Sequence, residues 1–176
     1  MDGSVKIGET LLYFIPAIIV AGAIYLLIKK YLDNDYKVRL LELKRAIHKE
    51  TIPLRFQAYE RICLFLERIS PNNLMVRVNR PGMSARELQS ELLQTIRAEY
   101  EHNITQQVYV SSQAWDLVKN AREELIRIIN TAAATIGENA GGIELSKAVF
   151  EIILKNEKLP TQRALDFIKN ESRQLL

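Results

Sequence analysis

The sequence predicts an all-α protein in which an N-terminal transmembrane helix continues into an amphipathic stalk and is followed by a compact multi-helix cytoplasmic domain. Three observations lead to this prediction. An uncharged, mainly apolar run extends from Leu11 to Ile28. Beyond it, apolar residues recur at helical spacings of three and four. No stretch of strand length alternates strictly between apolar and polar residues, so β-strands are not expected.

The uncharged run is long enough to cross a membrane. At about 1.5 Å per residue, a helix of this length covers most of a hydrocarbon core roughly 30 Å thick. A cleaved signal peptide would have a basic start, whereas Asp2 and Glu9 offset Lys6 and the terminal amine here. A helix buried in a soluble core would show a polar face over such a length. We therefore predict a short tail over 1–10 and a transmembrane helix over 11–28.

The residues that follow this helix predict its orientation. Segment 29–49 contains seven Lys or Arg and three Asp or Glu, whereas a single lysine precedes the helix. Since Lys and Arg accumulate on the cytoplasmic side, we expect a single-pass protein of the inner membrane with its C-terminal part in the cytoplasm. Basic residues near an anionic leaflet gain about 1 kcal/mol each. Those expected to contact lipid at the membrane surface are Lys29, Lys30, Lys37 and Arg39.

The charge of the remaining chain argues against a nucleic-acid partner. Residues 50–176 carry sixteen Lys or Arg and sixteen Asp or Glu, so they are neutral overall. The excess of Lys and Arg that gives the sequence its pI of about 9.0 therefore lies in segment 29–49, next to the predicted transmembrane helix. A nucleic-acid-binding domain would instead spread a basic face over its folded body.

Segment 29–52, called the stalk below, is predicted to be an amphipathic helix. Its apolar residues recur at spacings of 4, 4, 3 and 4, with charges on the other faces. Such a narrow face suits a helix of another membrane protein, of a second copy, or of the chain's own C-terminal domain, and the repeat is too short to establish a coiled coil. The candidate partner-binding residues of this apolar stalk face are Leu32, Tyr36, Leu40, Leu43 and Ile47.

Pro53 predicts the boundary between the stalk and a helical domain over 53–176. Proline disfavours the continuation of a helix but is tolerated in the first turn of a new one. The next helix, over 54–69, is apolar on most sides and is expected to be central in the domain. The turn-forming residues Ser70-Pro71-Asn72-Asn73 end it.

Four further segments of the domain are predicted to be helical. Ser84-Ala85-Arg86-Glu87 matches a capping box and begins a helix that ends near 102. Another helix begins near Ser111 or Ser112 and ends before Gly137. A short helix over 143–157 and a last one from Pro160 to about 175 complete the domain.

A loop over Val76–Gly82 carries the two arginines that could form a site. Arg77 and Arg80 near a turn could bind a phosphate or a carboxylate. They define an alternative function, a membrane-tethered regulator that binds an anionic ligand.

Other motifs predict no chemistry. Glu99 and His102 have the spacing of a di-iron ligand pair, but the second copy that such a site needs is missing from the sequence. Gly137 and Gly142 resemble a phosphate loop without its lysine. Cys63 and Trp115 are expected to pack in the core. Since nothing assembles a nucleophile with a base, we predict no enzyme, metal or cofactor.

The segments YERICLFLERISPNNL (59–74) and YVSSQAWDLVKNAREE (109–124) resemble an uncharacterised, Bacteroidota-type family of single-pass membrane proteins with a helical cytoplasmic domain. The resemblance implies architecture and inner-membrane residence, but no activity and no functional residues. We therefore expect an accessory or scaffolding subunit that acts through helix-mediated protein contacts. Its partners would be membrane lipid and either another membrane protein or a copy of itself.

Overall fold

The computed structural model describes the backbone of residues 2–155 and 159–175, and the side chains of 14–155 and 159–175. These residues form helices and contain no named strand, so the predicted all-α class is confirmed. The side chains of the predicted tail and of the first residues of the predicted span lie outside this description. The elements are α1 (Asp2–Arg68), α2 (Pro71–Val78), α3 (Ala85–Asn103), the 3₁₀-helix η1 (Ile104–Val108), α4 (Ser112–Thr135), α5 (Gly142–Leu154) and α6 (Pro160–Arg173).

The chain divides into two units, Met1–Glu50 and Thr51–Leu176. The first unit is helical, and its described side chains from Phe14 onward are almost all exposed. Helix α1 is long and apolar enough to cross a membrane, with a mean hydropathy of 1.7 in its most apolar part. The second unit contains the hydrophobic core.

The predicted helix break at Pro53 is wrong, because α1 continues through it to Arg68. A proline within a helix leaves the carbonyl four residues earlier, here that of Lys49, without its usual N–H donor. Both Lys49 and Pro53 are exposed, so water can hydrate that carbonyl. The cost that usually ends a helix at proline is therefore reduced at this position.

The C-terminal part of α1 contributes one face to the core of the second unit. The helix was expected to be apolar on most sides and central, but Leu54 and Leu64 are 48 % and 56 % exposed. Helix α1 therefore packs through a single face, as an amphipathic helix does at the edge of a core. The buried residues of this face are Ala58, Tyr59, Ile62, Phe65, Leu66 and Ile69.

Helix α2 occupies part of the stretch that was expected to be a loop. Pro71 stands in its first turn, where proline is tolerated, and Leu74, Met75 and Val78 are buried. The loop begins only at Asn79. It turns at Pro81-Gly82, where Gly82 has a φ of +84° that favours glycine.

The beginnings of α3 and α5 are joined by backbone hydrogen bonds. The capping box predicted for α3 is confirmed, since Glu87 accepts from the Ser84 amide at 2.9 Å and donates its own amide to the Ser84 hydroxyl at 3.2 Å. The Ala85 amide donates to the Ala140 carbonyl and the Gly142 amide to the Met83 carbonyl, both at 2.8 Å. The Gly137–Gly142 segment is thus the turn that the sequence predicted. It precedes α5 in the chain and is hydrogen-bonded to the beginning of α3.

Gly142 lies where the beginnings of α3 and α5 meet, and the neighbouring atoms leave little space for a side chain there. A Cβ at this position would lie 3.2 Å from the Met83 carbonyl oxygen and 3.3 Å from Leu88 Cδ2. We expect Gly142→Ala to lower the free energy of unfolding by about 1–2 kcal/mol through overpacking. Gly137→Ala is the matched control, because its Cβ would meet no atom within 4 Å. Equal urea midpoints for the two variants would show that the junction tolerates a methyl group.

A polar cluster connects α1, the start of α4 and α6. The Glu171 carboxylate accepts hydrogen bonds from the Tyr59 hydroxyl at 2.5 Å and from the Ser111 hydroxyl and amide at 2.5 and 3.0 Å. Arg55 donates to the Tyr59 hydroxyl and to the Tyr109 carbonyl. These bonds link residues from three separate parts of the second unit.

The cluster makes the stability of the second unit depend on pH. Desolvation alone would raise the pKa of Glu171, but the hydrogen bonds from Ser111 and Tyr59 and the charge of Arg55 outweigh it, and the pKa lies below the usual 4.5. A carboxylate with a lowered pKa stabilises the fold above its unfolded pKa, and this contribution is lost as the pH falls through the lowered value. The Glu171 contribution is therefore complete at neutral pH and lost in acid.

Replacing Glu171 with glutamine tests this dependence. We expect Glu171→Gln to lower the free energy of unfolding by about 1–3 kcal/mol at pH 7, because charge-assisted hydrogen bonds to Tyr59 and Ser111 are weakened. The difference from the unmodified protein should shrink below a pH of about 4.5, where the Glu171 carboxylate of the unfolded chain protonates before the native one does. Urea titrations from pH 7 to pH 3 measure both effects. A difference that stays constant over this range would contradict the assignment.

Candidate partner-binding surface

The five residues of the apolar stalk face are all exposed. Their exposed fractions range from 40 % for Leu40 to 68 % for Tyr36, and Leu32, Leu43 and Ile47 lie between these values. At 100° per residue, their spacing places all five within one strip of α1. The first unit therefore presents a continuous apolar strip, as the sequence predicted from the spacing.

The four basic residues expected at the membrane surface are also exposed. Lys29 and Lys30 follow the apolar run directly, and Lys37 and Arg39 stand two turns further along α1. The Arg39 guanidinium pairs with Asp35 one turn earlier at 2.8 Å. Because this pair is largely exposed, it stabilises the helix by only about 0.3–0.5 kcal/mol.

Arg77, the first arginine of the predicted anion site, lies on α2 rather than in a loop. Its guanidinium faces Glu99 of α3 at 3.4 Å, and the same carboxylate oxygen accepts from the Arg68 guanidinium at 2.7 Å. The Glu99 side chain is 15 % exposed. Two arginines thus converge on one carboxylate, which holds the end of α1 and α2 against α3.

Arg80, the second arginine, is in the loop and contacts a different region. It lines an open surface cavity of about 630 Å³ together with Pro81, Met83 and Glu144. The Glu144 carboxylate accepts from the Gly141 amide at 2.8 Å, where it caps the start of α5. The Glu144 carboxylate at this cavity would repel an anionic ligand. Arg77, on α2, is already engaged with Glu99 of α3.

Glu99 and His102, which have the spacing of a metal-ligand pair, line one surface cavity of about 680 Å³. The Glu99 carboxylate is engaged by two guanidinium groups, which compete with any cation for it. Within residues 14–155 and 159–175, no group of three or more His, Cys, Asp or Glu side chains is placed to hold a metal ion.

Trp115 and Cys63 pack in or against the core, as expected. Trp115 is 7 % exposed and stacks on Tyr100 with a ring-centroid distance of 5.6 Å. The Arg122 guanidinium covers the Tyr100 ring at 4.1 Å. Cys63 is half-buried, and desolvation raises the pKa of its thiol, which disfavours the reactive thiolate.

Sequence comparisons identify a family but no activity. The model of a family of unknown function (DUF7935) matches residues 5–175, nearly the whole chain. No curated protein and no solved structure matches the sequence. The match covers the apolar helix, the stalk and the helical second unit together. The chain therefore belongs to the family of unknown function DUF7935.

Proposed function

We propose that this protein is a membrane-anchored accessory or scaffolding subunit that acts through helix-mediated contacts at the cytoplasmic face of the inner membrane of a Bacteroidota-type bacterium. The observation that carries the proposal is the exposed apolar stalk face directly after a helix of membrane-spanning length and hydropathy. Exposed apolar strips of this kind mark contact surfaces in soluble regions of proteins. Lys29, Lys30, Lys37 and Arg39 would hold the base of the stalk near anionic headgroups.

The orientation follows from the excess of Lys and Arg after the apolar run. We expect a reporter fused after Leu176, which itself lies outside the described residues, to be active as a cytoplasmic protein because this bias directs the C-terminal side inward. Paired alkaline phosphatase and green fluorescent protein fusions measure the orientation in cells. Phosphatase activity with no fluorescence would reverse the orientation.

A contact role is favoured over a catalytic or nucleic-acid-binding one. The sequence brings no nucleophile, base and oxyanion-binding groups into one motif, and residues 50–176 carry balanced charge. The alternative of an anion-responsive regulator is weakened because Arg77 is paired with Glu99 and Arg80 shares its cavity with Glu144. An anion that binds Arg77 would have to displace the Glu99 carboxylate, and an anion that binds Arg80 would have to approach the Glu144 carboxylate.

Native electrophoresis after gentle solubilisation of membranes tests the contact role. We expect the chain to migrate in a species much larger than its own mass of 20.2 kDa and the surrounding detergent. A lone small species that binds inorganic phosphate, with binding lost in Arg80→Ala, would instead support the regulator.

A further inference from the structure

We propose that the apolar stalk face binds an amphipathic helix with acidic flanks that belongs to a different protein, and that it disfavours a second copy of this chain. This inference rests on the proposed contact function and specifies its partner. It follows from the charges that border the apolar face.

Four of the five residues of the apolar stalk face fit the a and d pattern of a helix pair, whereas Leu32 falls at a g position. Leu40 and Ile47 occupy the a positions, and Tyr36 and Leu43 occupy the d positions. The residues that border such a face are those directly after each d and directly before each a. Here the charged residues at these positions are Lys37, Lys44 and Arg39.

The border of the face therefore contains three cations and no carboxylate between positions 36 and 47. Glu42, the one acid within that interval, lies at a c position on the outer side of the helix. Asp35 also occupies a c position, where it pairs with Arg39 along the helix. Any helix that covers the apolar face must approach this basic border.

A second copy is the occupant that these charges disfavour. Two copies anchored in one membrane by the same segment would run parallel, and a parallel pair places each g residue beside the e residue five positions later in its neighbour. Arg39 would then face Lys44 of the other copy, twice by symmetry. A partner with Glu or Asp at its flanking positions replaces both repulsions with attractions, which selects between partners.

Two designed peptides test the choice of partner with the full-length chain in nanodiscs of neutral phosphatidylcholine. Both are four-heptad helices with the same Leu and Ile face, and they carry either Glu or Lys at all flanking positions. Fluorescence anisotropy measures their binding. We expect the Glu peptide to bind at least tenfold more tightly than the Lys peptide, with this ratio falling between 0.15 and 1 M salt.

Two double charge reversals distinguish attraction to the border residues from attraction to the basic segment as a whole. In Lys37→Glu with Lys44→Glu, the Glu peptide should lose its advantage. In the control Arg45→Glu with Lys49→Glu, which changes the same charge at f and c positions, the advantage should remain at least fivefold. Equal losses in both double variants would overturn the proposal, since the attraction would then come from the whole basic segment.

Self-association is measured by energy transfer between two differently labelled populations of the chain in the same vesicles. We expect transfer at the level of random encounters. Transfer above that level that is abolished by Leu40→Asp with Leu43→Asp would identify a second copy as the occupant. That result would overturn this inference but leave the proposed contact function intact. A face that binds neither peptide nor a second copy would overturn the proposal of an acidic partner. Native electrophoresis of the complex would then test the contact function separately.

Discussion

Leu66→Ala is expected to lower the free energy of unfolding of the second unit by about 2–5 kcal/mol. Leu66 lies on the buried face of α1 and is 1 % exposed. Truncation removes its buried methyl groups and leaves a cavity among close-packed neighbours, and both effects destabilise the fold. Helix α1 belongs to the core of the second unit at this point, although the same helix continues back to Asp2.

Leu64→Ala is the matched control for this prediction. Leu64 stands two residues earlier on the same helix and is 56 % exposed, so the same truncation should change the stability by no more than about 0.5 kcal/mol. Urea unfolding of the full-length chain in detergent can be followed by the fluorescence of Trp115, the single tryptophan, which lies in this core. Equal losses in the two variants would contradict the one-sided packing of α1.

The parts of the fold that the sequence predicted well depend on local patterns. The helix predicted from the capping box to near 102 is α3, and its residues Leu88, Leu92, Ile96 and Tyr100 are buried at helical spacing. The capping box at Ser84 is formed as predicted. These features need only contacts between residues three or four positions apart, which a sequence displays directly.

The features that the sequence did not predict depend on contacts between distant segments or on solvent. Arg77 was assigned to a loop because Pro71 and the asparagines after it resemble a turn, whereas burial of Leu74 and Val78 against the core stabilises α2. The Tyr59–Glu171 bond joins residues 112 positions apart, and no local pattern indicates it. Helix α1 continues through Pro53 at a position where Lys49 and Pro53 are exposed, and composition does not reveal that exposure.

The apolar stalk face could be predicted as a face, but its occupant could not. Periodicity identifies Leu32, Tyr36, Leu40 and Leu43 as neighbours, and all four are exposed in the first unit. Which helix covers them depends on another molecule or another part of the chain. Mutation of the face is therefore the way to distinguish these occupants.

Leu40→Asp combined with Leu43→Asp is expected to have the second large effect, the loss of the native complex. Each aspartate would be moved from water into an apolar contact without a partner, which costs several kcal/mol. Membrane insertion should survive because the apolar run and the basic residues are unchanged. If the face packs on the chain's own domain instead, the variant should lose thermal stability and no complex should be present beforehand.

The control for this variant is Val38→Asp combined with Leu41→Asp. Both residues are exposed, at 43 % and 55 %, and at 100° per residue they lie on the opposite side of α1. The control introduces the same two charges into the same segment of the stalk. It should leave both the complex and the insertion unchanged.

The most direct measurement is native electrophoresis of solubilised membranes that contain the unmodified chain, the Leu40→Asp/Leu43→Asp variant or the Val38→Asp/Leu41→Asp control. If the apolar stalk face binds a partner, the large species is present for the unmodified chain and the control and is absent for Leu40→Asp/Leu43→Asp, while urea unfolding monitored through Trp115 stays the same in all three. A large species that persists in Leu40→Asp/Leu43→Asp would contradict the assignment of this face as the contact surface.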